Sequence, residues 1–324
     1  MWTTIKLASV FGILLLFCAI TVPTFAQPGT PISSTAAVSD QKTGSLLIYN
    51  YYTSSSSSPA SNTRVSITNT NPTDGIAVHF FLVTGTSGAQ SDFFLCLVSN
   101  QTATFLASDF DPDSTGYIVA VAVASTGCPL SFNYLMGDEY VKLASGHTAS
   151  FGAEAIAALY TSTLSSCGSN SATLNFDGVS YNQLPRKLMV DKIRSPANNN
   201  SMLLVVNRIG GNLVSGTASA IGTVNGELCD DLGAAHNFSF THSQTQLIQT
   251  LSDSFLLTTP AFSSVIPTGH TGWMSFAADT DAALFGVAIN FNPNPSATRG
   301  GHNLRTLSLA TSSSLVIPVF IPVC

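Results

Sequence analysis

Short apolar runs separated by Gly, Pro, Asn and Ser dominate the chain from residue 44 onward. The clearest runs are "SLLIYNYY", "RVSITNT", "AVHFFLV", "DFFLCLV", "GYIVAVAVA" and "LSFNYLM". Enrichment in Val, Ile, Thr, Phe and Tyr between turn residues is the signature of β-strands. The runs recur about every 8 to 15 residues, which is typical of a sandwich rather than of a parallel sheet with crossover helices. Only Gly152 to Tyr160 has a helical pattern, and that segment is short.

The second half of the chain repeats the order of strands and turns found in the first half. "LLIYNYYTSSSSSPASNTRVSITNTN", from Leu46, matches "LMVDKIRSPANNNSMLLVVNRIGGN", from Leu188, in pattern. Further on, "QTATFLASDF" matches "QTQLIQTLSDSF", and "STGYIVAVAV" matches "HTGWMSFAAD". One repeat of two units, each of about 120 to 150 residues, indicates two related domains rather than a solenoid. We therefore predict an all-β fold of two tandem immunoglobulin-like antiparallel β-sandwich domains.

The chain begins with the pattern of a secretory signal peptide. Lys6 supplies a positive start, an apolar stretch follows, and the small residues Thr24 and Ala26 mark a cleavage site before Gln27. The apolar stretch of about 13 residues is shorter than the roughly 20 that are needed to cross a membrane. We expect residues 1–26 to be removed and the protein to be secreted or held at the cell surface, with no membrane span after cleavage.

Composition divides the rest of the chain into a leader and two domains. Residues 27–43 are rich in Pro, Ser, Thr and Ala and lack periodicity, so we predict a flexible leader there. Residues 44–161 form the first predicted sandwich and residues 168–324 the second. We place the connection between them near Thr161 to Asn170.

Charged residues are scarce in this sequence. They make up 9% of the chain, against roughly 25% in an ordinary globular domain. Ser, Thr, Asn and Gly supply the polar positions instead, as is common where polar and apolar residues alternate along strands. The net charge is −6 at pH 7 and there are no Lys/Arg runs, which argues against nucleic acid as a partner.

Cysteine usage supports export to an oxidising compartment. Beyond the signal peptide the chain has five cysteines: Cys96, Cys128, Cys167, Cys229 and Cys324. None lies two to four residues from another, so the spacing typical of zinc sites is absent. Disulfides are the expectation for an exported chain. We predict a Cys96–Cys128 pair because both flank strands of the first half, and the pairing of the other three stays open.

A family resemblance rests on several of these motifs. The series "TNTNPTDGIAVHFFLV", "QTATFLASD" and "STGYIVAVAV" resembles bacterial secreted domains of immunoglobulin-like type. Over most of its mature length the chain is also similar to a group of uncharacterised exported bacterial proteins, through "GDEYVKLASGH", "INFNPN", "GHNL" and "IPVFIPVC". The resemblance implies fold and export, and it implies no activity and no catalytic residue.

The stretch "SDFDPDSTGY" is the best candidate for a metal site. Asp109, Asp111 and Asp113 occupy alternate positions, a spacing with which carboxylates converge on calcium. Ser114 and Ala120 stand where a helix-loop-helix calcium site has its turn glycine and its bidentate glutamate. The second copy lacks the three aspartates. Calcium is therefore the one cofactor that the sequence suggests, and a solvated acidic turn is the alternative.

Other candidate chemistry is sparse. Asp138 and Glu139 are adjacent on a predicted strand, so their side chains point to opposite faces and cannot pair. Glu139 with Glu154 could serve glycoside hydrolysis if the two carboxyls lay about 5 to 10 Å apart, with surface or capping roles as the alternative. Trp273 and Tyr117 follow a glycine in matching positions, which favours core packing over ligand stacking. The six histidines are scattered singly, and no G-x-S-x-G elbow marks a nucleophile.

Together these features favour an exported, non-enzymatic structural or adhesive protein of the cell surface or matrix. Its partner would be a protein or glycan surface, or a second copy, contacted through sandwich loops and edges. The C-terminal "SSLVIPVFIPVC" is either a strand that adds to a neighbour's sheet edge or the last strand of the second sandwich. The alternatives are a secreted carbohydrate-active hydrolase and a calcium-dependent binding protein. Carboxylates converging in a deep pocket would favour the hydrolase, and a flat polar surface would favour assembly.

Overall fold

The computed structural model describes residues 38–57, 60–292 and 300–324. Strands account for 55% of the residues and helices for 6%, which confirms the all-β prediction. The predicted signal peptide and most of the predicted leader lie outside the described residues. No helix in the described part of the chain has the length and apolar character that a membrane crossing requires.

Twenty-two strands, two short α-helices and three single-turn 3-10 helices make up the described fold. The strands are β1 (Leu46–Thr53), β2 (Asn62–Asn69), β3 (Ile76–Thr84), β4 (Gln90–Leu97), β5 (Thr102–Leu106), β6 (Thr115–Val123), β7 (Leu135–Lys142), β8 (Thr148–Gly152), β9 (Glu154–Ile156), β10 (Ser171–Asn175), β11 (Pro185–Arg194), β12 (Ser201–Ile209), β13 (Gly211–Asn212), β14 (Thr217–Ala218), β15 (Gly222–Asp230), β16 (Ala235–His242), β17 (Gln246–Thr250), β18 (Thr271–Ala278), β19 (Ala283–Phe291), β20 (Gly300–Asn303), β21 (Arg305–Leu309) and β22 (Ser314–Pro318). The α-helices are α1 (Asp253–Leu256) and α2 (Phe262–Val265). The one segment with a helical pattern, Gly152 to Tyr160, contains the strand β9 instead.

Four of the sheets form two sandwiches. In the first sandwich, a sheet of order β4-β3-β6-β1-β9 packs on a sheet of order β5-β2-β7-β8. In the second sandwich, β16-β15-β18-β11-β21 packs on β17-β12-β19-β20. The orders are the same when β1–β9 are matched in turn to β11, β12 and β15–β21. The sequence pairs that suggest an internal repeat therefore lie on corresponding strands.

A bulge in the first strand of each sandwich shows which residues of the two copies occupy equivalent positions. The irregularity lies between Tyr49 and Tyr52 in β1, and between Val190 and Ile193 in β11. Gly116 is paired with Tyr52, and Gly272 is paired with Ile193. These pairings match Leu47, rather than Leu46, to Leu188. The one-residue difference matters because it exchanges the two faces of a strand.

A third sheet, of order β10-β22-β13-β14, covers the outer face of the first sandwich. Leu174 of β10 and Ile317 of β22 share a buried core with Ile48, Phe81 and Val119 of the five-stranded sheet. That sheet is thus buried on both faces, which is why its strands read as continuous apolar runs. The corresponding sheet of the second sandwich has its outer face open.

The place of β22 corrects both expectations for the C-terminal segment. β22 pairs antiparallel with β10 on one side and parallel with β13 on the other. It is therefore neither the last strand of the second sandwich nor a strand with a free edge. Its alternate residues Leu315 and Ile317 are buried in the core under the third sheet, and that burial fixes its place.

Two disulfides join parts of the chain that are distant in sequence, and the predicted Cys96–Cys128 pair is wrong. Cys96 on β4 is bonded to Cys324, and Cys128 is bonded to Cys167. The third sheet causes the difference, because the chain after β22 returns across the first sandwich to the edge strand β4. Among the cysteines in the described part of the chain, Cys229 alone is unpaired, and it is buried. Two disulfides are typical of a protein from an oxidising, extracellular environment.

The sandwiches also contact each other directly. Val205, Val287 and Ile289 on the four-stranded sheet of the second sandwich pack against Val141 and Phe151 of the first. Residues 38–43, part of the predicted leader, lie against the same region. Within that segment Val38 is buried, and Ser39 forms a bridge to Ala155 beside β9.

Candidate functional site

A cleft of about 820 Å³ opens where the two sandwiches meet, and we call it the junction cleft. One wall consists of residues 38–41 with β8 and the start of β9. The other wall consists of the β11 bulge with β20 and β21. Side chains that carry chemistry line both walls: Asp40, Glu154, Asp191, Lys192, His302, Asn303 and Arg305.

Asn303 ties the two walls together. Its side-chain amide donates to Asp40 Oδ2 at 3.0 Å and to the carbonyl oxygen of Gly152 at 2.8 Å. Both acceptors belong to the first wall, whereas Asn303 is the last residue of β20 in the second sandwich. The amide therefore holds the sandwiches in register at the bottom of the junction.

Glu154 is the most unusual group in the junction cleft. Its exposed fraction is only 8%, and no hydrogen bond among the described residues ends on its carboxyl group. Burial raises its pKa to about 8, the charge of Asp40 adds to the shift, and the charge of Lys42 opposes it. At neutral pH the carboxyl is therefore mostly protonated, and it can donate one hydrogen bond as well as accept others.

Lys42 interacts electrostatically with Glu154 but does not line the junction cleft. Its ammonium group donates to Asn182 Oδ1 at 3.1 Å, and burial lowers the pKa of the ammonium group. Asn182 also accepts from the backbone N–H of Ala157, just beyond β9. This arrangement keeps the positive charge next to β9 and leaves the Glu154 carboxyl facing the cleft.

The opposite wall holds an ion-pair network centred on Asp191. Arg305 Nε lies 3.1 Å from Asp191 Oδ2, and Arg305 Nη2 lies at the same distance. His302 Nε2 lies 3.2 Å from Asp191 Oδ1. Burial lowers the pKa of His302, so the imidazole is mostly neutral at pH 7. The Asp191 charge is thus balanced by one guanidinium.

The acids proposed from sequence separate in the structure. Asp138 is exposed and Glu139 is fully buried, which confirms that they face opposite sides of β7. The Glu139 carboxylate accepts from the backbone N–H of Tyr51, at 3.2 and 3.4 Å for its two oxygens. That N–H belongs to the bulge in β1, so Glu139 supports the strand irregularity. Only Glu154 of the suggested Glu139–Glu154 pair lines the junction cleft.

The three aspartates of the suggested calcium site have separate partners. Asp109 Oδ2 accepts from the backbone N–H of Leu106 at 3.0 Å, and Asp113 Oδ1 accepts from the backbone N–H and hydroxyl of Ser56, both at 2.8 Å. Asp111 binds elsewhere, as described below. In the described ranges, no group of three or more His, Cys, Asp or Glu side chains could hold a metal ion.

Replacing Asp111 with alanine is expected to destabilise the fold whether or not calcium is present. Asp111 accepts from the hydroxyl of the buried Tyr52 at 2.5 Å and from the hydroxyl of Ser91 at 3.0 Å. Leaving the Tyr52 hydroxyl unpaired costs about 1–3 kcal/mol. Denaturant unfolding with calcium and with a chelator measures this, and Asp138→Ala, at an exposed carboxylate on β7, is the control. A calcium-dependent rise in Tm that disappears in Asp111→Ala would instead support the metal hypothesis.

Among the histidines, His302 alone lines the junction cleft. His79 is fully buried between the rings of Phe81 and Phe94, with centroids at 4.0 and 4.1 Å, and its Nε2 lies 2.8 Å from Asp92 Oδ2. It is a core histidine beneath the third sheet. His270, at the surface, lies 2.8 Å from Asp231.

The expectation of core packing holds for Tyr117 and is wrong for Trp273. Tyr117 is buried in the core under the third sheet, whereas Trp273 has an exposed fraction of 37%. The two residues occupy matching positions, since Gly116 matches Gly272. The third sheet covers only the first sandwich, and this difference in cover produces the different exposure.

Sequence patterns pointed to Glu154 but not to its neighbours in the cleft. Asp40 lies in the predicted leader, Asp191 in a loop-like bulge, and Arg305 in a strand with no distinctive motif. His302 and Asn303 lie in the "GHNL" motif, which carries part of the family resemblance but implies no site. No protein-family model matches this chain, no curated protein matches its sequence, and no solved structure matches its fold.

Proposed function

We propose that this is an exported, non-enzymatic structural or adhesive protein of the cell surface or extracellular matrix that binds a glycan in the junction cleft. The observation that carries the proposal is a cleft lined by hydrogen-bonding side chains of both sandwiches. Sugars present many hydroxyls that both donate and accept. The carboxyls of Asp40 and Glu154 and the guanidinium of Arg305 offer matching groups.

Export and an immunoglobulin-like fold are part of the same proposal. The disulfides Cys96–Cys324 and Cys128–Cys167 support an oxidising destination. The neighbours β4-β3-β6 follow the order of strands C′, C and F in a variable-type immunoglobulin sheet, and β5-β2 follow E and B. A departure is that β1 lies beside β6, where strand G pairs in the immunoglobulin fold.

A secreted carbohydrate-active hydrolase is the second candidate. A protonated carboxyl beside a second carboxyl is the acid–base arrangement of many glycosidases, and Glu154 with Asp40 has this character. In that case Glu154 would protonate the leaving oxygen and Asp40 would act as nucleophile or base. Binding and hydrolysis share the same cleft, so one set of experiments separates them.

The test uses the full mature chain, residues 27–324, on an array of plant, bacterial and animal glycans. We expect saturable binding to at least one glycan class and about tenfold weaker binding in Arg305→Gln, because one charge-assisted hydrogen bond is lost. Asp138→Asn, at an exposed acid on β7 that does not line the cleft, is the matched control and should bind as the wild type does.

Two outcomes would contradict the proposal of non-enzymatic glycan binding. If no arrayed glycan bound, the proposal that the cleft binds a glycan would be rejected. Release of reducing sugar from a bound oligosaccharide would favour the hydrolase. A hydrolase should lose turnover in both Glu154→Gln and Asp40→Asn while still binding its oligosaccharide.

A further inference from the structure

We propose that Glu154 donates a hydrogen bond from its protonated carboxyl to an uncharged hydroxyl of the ligand, so that the junction cleft selects neutral saccharides over anionic ones. This inference rests on the proposed function and names the ligand class of the same cleft. Three observations on the molecule support it: the burial of Glu154, the partners of the surrounding charges, and the negative charge of Asp40.

The first observation is that Glu154 is more than nine-tenths buried and yet lines an open cleft. A buried polar group without a hydrogen bond costs free energy, so native structures nearly always provide it with a partner. Among the described residues no protein group donates to or accepts from this carboxyl. A ligand oxygen in the junction cleft would supply the partner that the fold does not.

The second observation concerns the charges that face Glu154. Asp40 and Lys42 approach from residues 38–43, while Asp191 and Lys192 lie on β11. His302 on β20 and Arg305 on β21 complete the set, and β8 contributes none to the cleft. Among the groups that line the cleft, the charges of Asp40 and Asp191 balance those of Lys192 and Arg305, so with Glu154 protonated the walls carry no net positive charge to attract an anion.

The third observation is the position of Asp40 itself. Its negative charge raises the pKa of Glu154, which shows that the two carboxyls interact electrostatically. An anionic ligand group hydrogen-bonded to Glu154 would meet the same repulsion. A neutral hydroxyl would not, and it could also donate to Asp40. The wall is therefore suited to a hydroxyl group rather than to a carboxylate or sulfate.

The sign of the pH dependence follows from the raised pKa of Glu154. Below about pH 8 the carboxyl carries its proton and donates, and above that pH it ionises and cannot donate. The apparent affinity falls in proportion to the protonated fraction. Between pH 6.5 and 9.5 the loss would be about 30-fold if ionised Glu154 contributes no binding. His302, whose pKa is lowered, titrates below this window.

The experiment measures binding of defined probes by calorimetry from pH 6.5 to 9.5. The neutral probes are maltohexaose, cellohexaose, xylohexaose and chitohexaose, and the anionic probe is oligogalacturonate. We expect at least one neutral probe to bind with affinity that falls about 30-fold across the range, and oligogalacturonate to bind more weakly at every pH.

Variants at position 154 separate proton donation from shape. Glu154→Gln keeps the size of the side chain and carries an amide donor at every pH, so it should retain binding and abolish the pH dependence. Glu154→Leu removes the donor and should bind about tenfold more weakly with no pH dependence. Asp138→Asn should reproduce the wild-type profile. Thermal unfolding of each variant at pH 6.5 verifies that it is folded.

The outcomes distinguish this inference from the proposed function. If no probe and no arrayed glycan binds at any pH, the proposed function fails. If a neutral probe binds with an affinity that is flat in pH, or if Glu154→Gln keeps the wild-type fall, proton donation by Glu154 is overturned and glycan binding stands. Tighter binding of oligogalacturonate would overturn the preference for neutral saccharides.

Discussion

Phe81→Glu is expected to detach the third sheet from the first sandwich and to lower the free energy of unfolding by about 5 kcal/mol or more. Phe81 is fully buried between the five-stranded sheet and the strands β10 and β22. A glutamate there would place a carboxylate in an apolar core, directly opposite Asp92 on β4. The apolar side chains of β10 and β22 that pack on Phe81 offer this carboxylate no hydrogen-bond donor and no positive charge.

The second sandwich supplies a matched control for this substitution. Phe81 pairs with Val119, and Glu227 pairs with Ser275 at the matching position of the second sandwich. Glu227 is exposed on the open face, so Glu227→Phe should change stability by less than about 1 kcal/mol. Denaturant unfolding gives both free energies, and limited proteolysis of residues 310–324 reports release of the third sheet. Equal effects of the two substitutions would show that the third sheet does not protect the face beneath it.

Removing the Cys96–Cys324 disulfide is expected to produce the other large loss of stability. The bond spans a sequence separation of 228 residues and fixes the segment after β22 to the edge strand β4. Loop-closure entropy in the unfolded chain predicts a contribution of roughly 5 kcal/mol for a loop of this length. For Cys128–Cys167, with a separation of 39, the same relation predicts roughly 4 kcal/mol.

The measurement compares two double variants, Cys96→Ser with Cys324→Ser and Cys128→Ser with Cys167→Ser, by denaturant unfolding. Cys229→Ser is the control, because Cys229 is unpaired and should not contribute a covalent constraint. Thiol counting should find one thiol per chain, reactive only after unfolding because Cys229 is buried. Peptide mapping that recovered a Cys96–Cys128 bond would contradict the observed pairing.

The strands themselves could be predicted because their signal is local. β1, β3 and β6 are visible as runs of β-branched and aromatic residues bounded by turn residues. The opposite orientations of Asp138 and Glu139 follow from the two-residue period of a strand. A continuous apolar run also indicates burial on both faces, and this is the property that distinguishes the covered sheet of the first sandwich from the open sheet of the second.

The face-by-face comparison explains why only one sandwich is covered. At matching positions the first sandwich carries Phe81 and Val119, and the second carries Glu227 and Ser275. Burial of the first pair against β10 and β22 is favourable, whereas a covering sheet would bury the exposed Glu227 and leave its carboxylate without a partner. The residues that differ can be read from the sequence. Matching them requires the correct alignment of the two copies, and at β1 and β11 that alignment differs by one residue from the one that the sequence repeat suggests.

The junction cleft shows where prediction from sequence ends. Glu154 is a candidate acid from the sequence, yet its expected companion Glu139 binds the backbone of the β1 bulge, and the carboxyl whose charge acts on Glu154 is that of Asp40. Asn303 meets Asp40 across a large separation in sequence. No local sequence pattern predicts these contacts between distant residues, because they depend on how the packing of the sandwiches brings β9 and β20 together.

The sequence by itself determined the all-β class, the alternation of buried and exposed residues along strands such as β7, and the expectation of an oxidising environment. Each depends on composition or on the spacing of near neighbours. Only the tertiary structure decided that β22 lies inside a third sheet, that Cys96 pairs with Cys324 and that Glu154 faces Asp40. The physical reason is that burial and pairing between distant segments depend on the relative positions of whole sheets, whereas strand formation depends on residues close together in the chain.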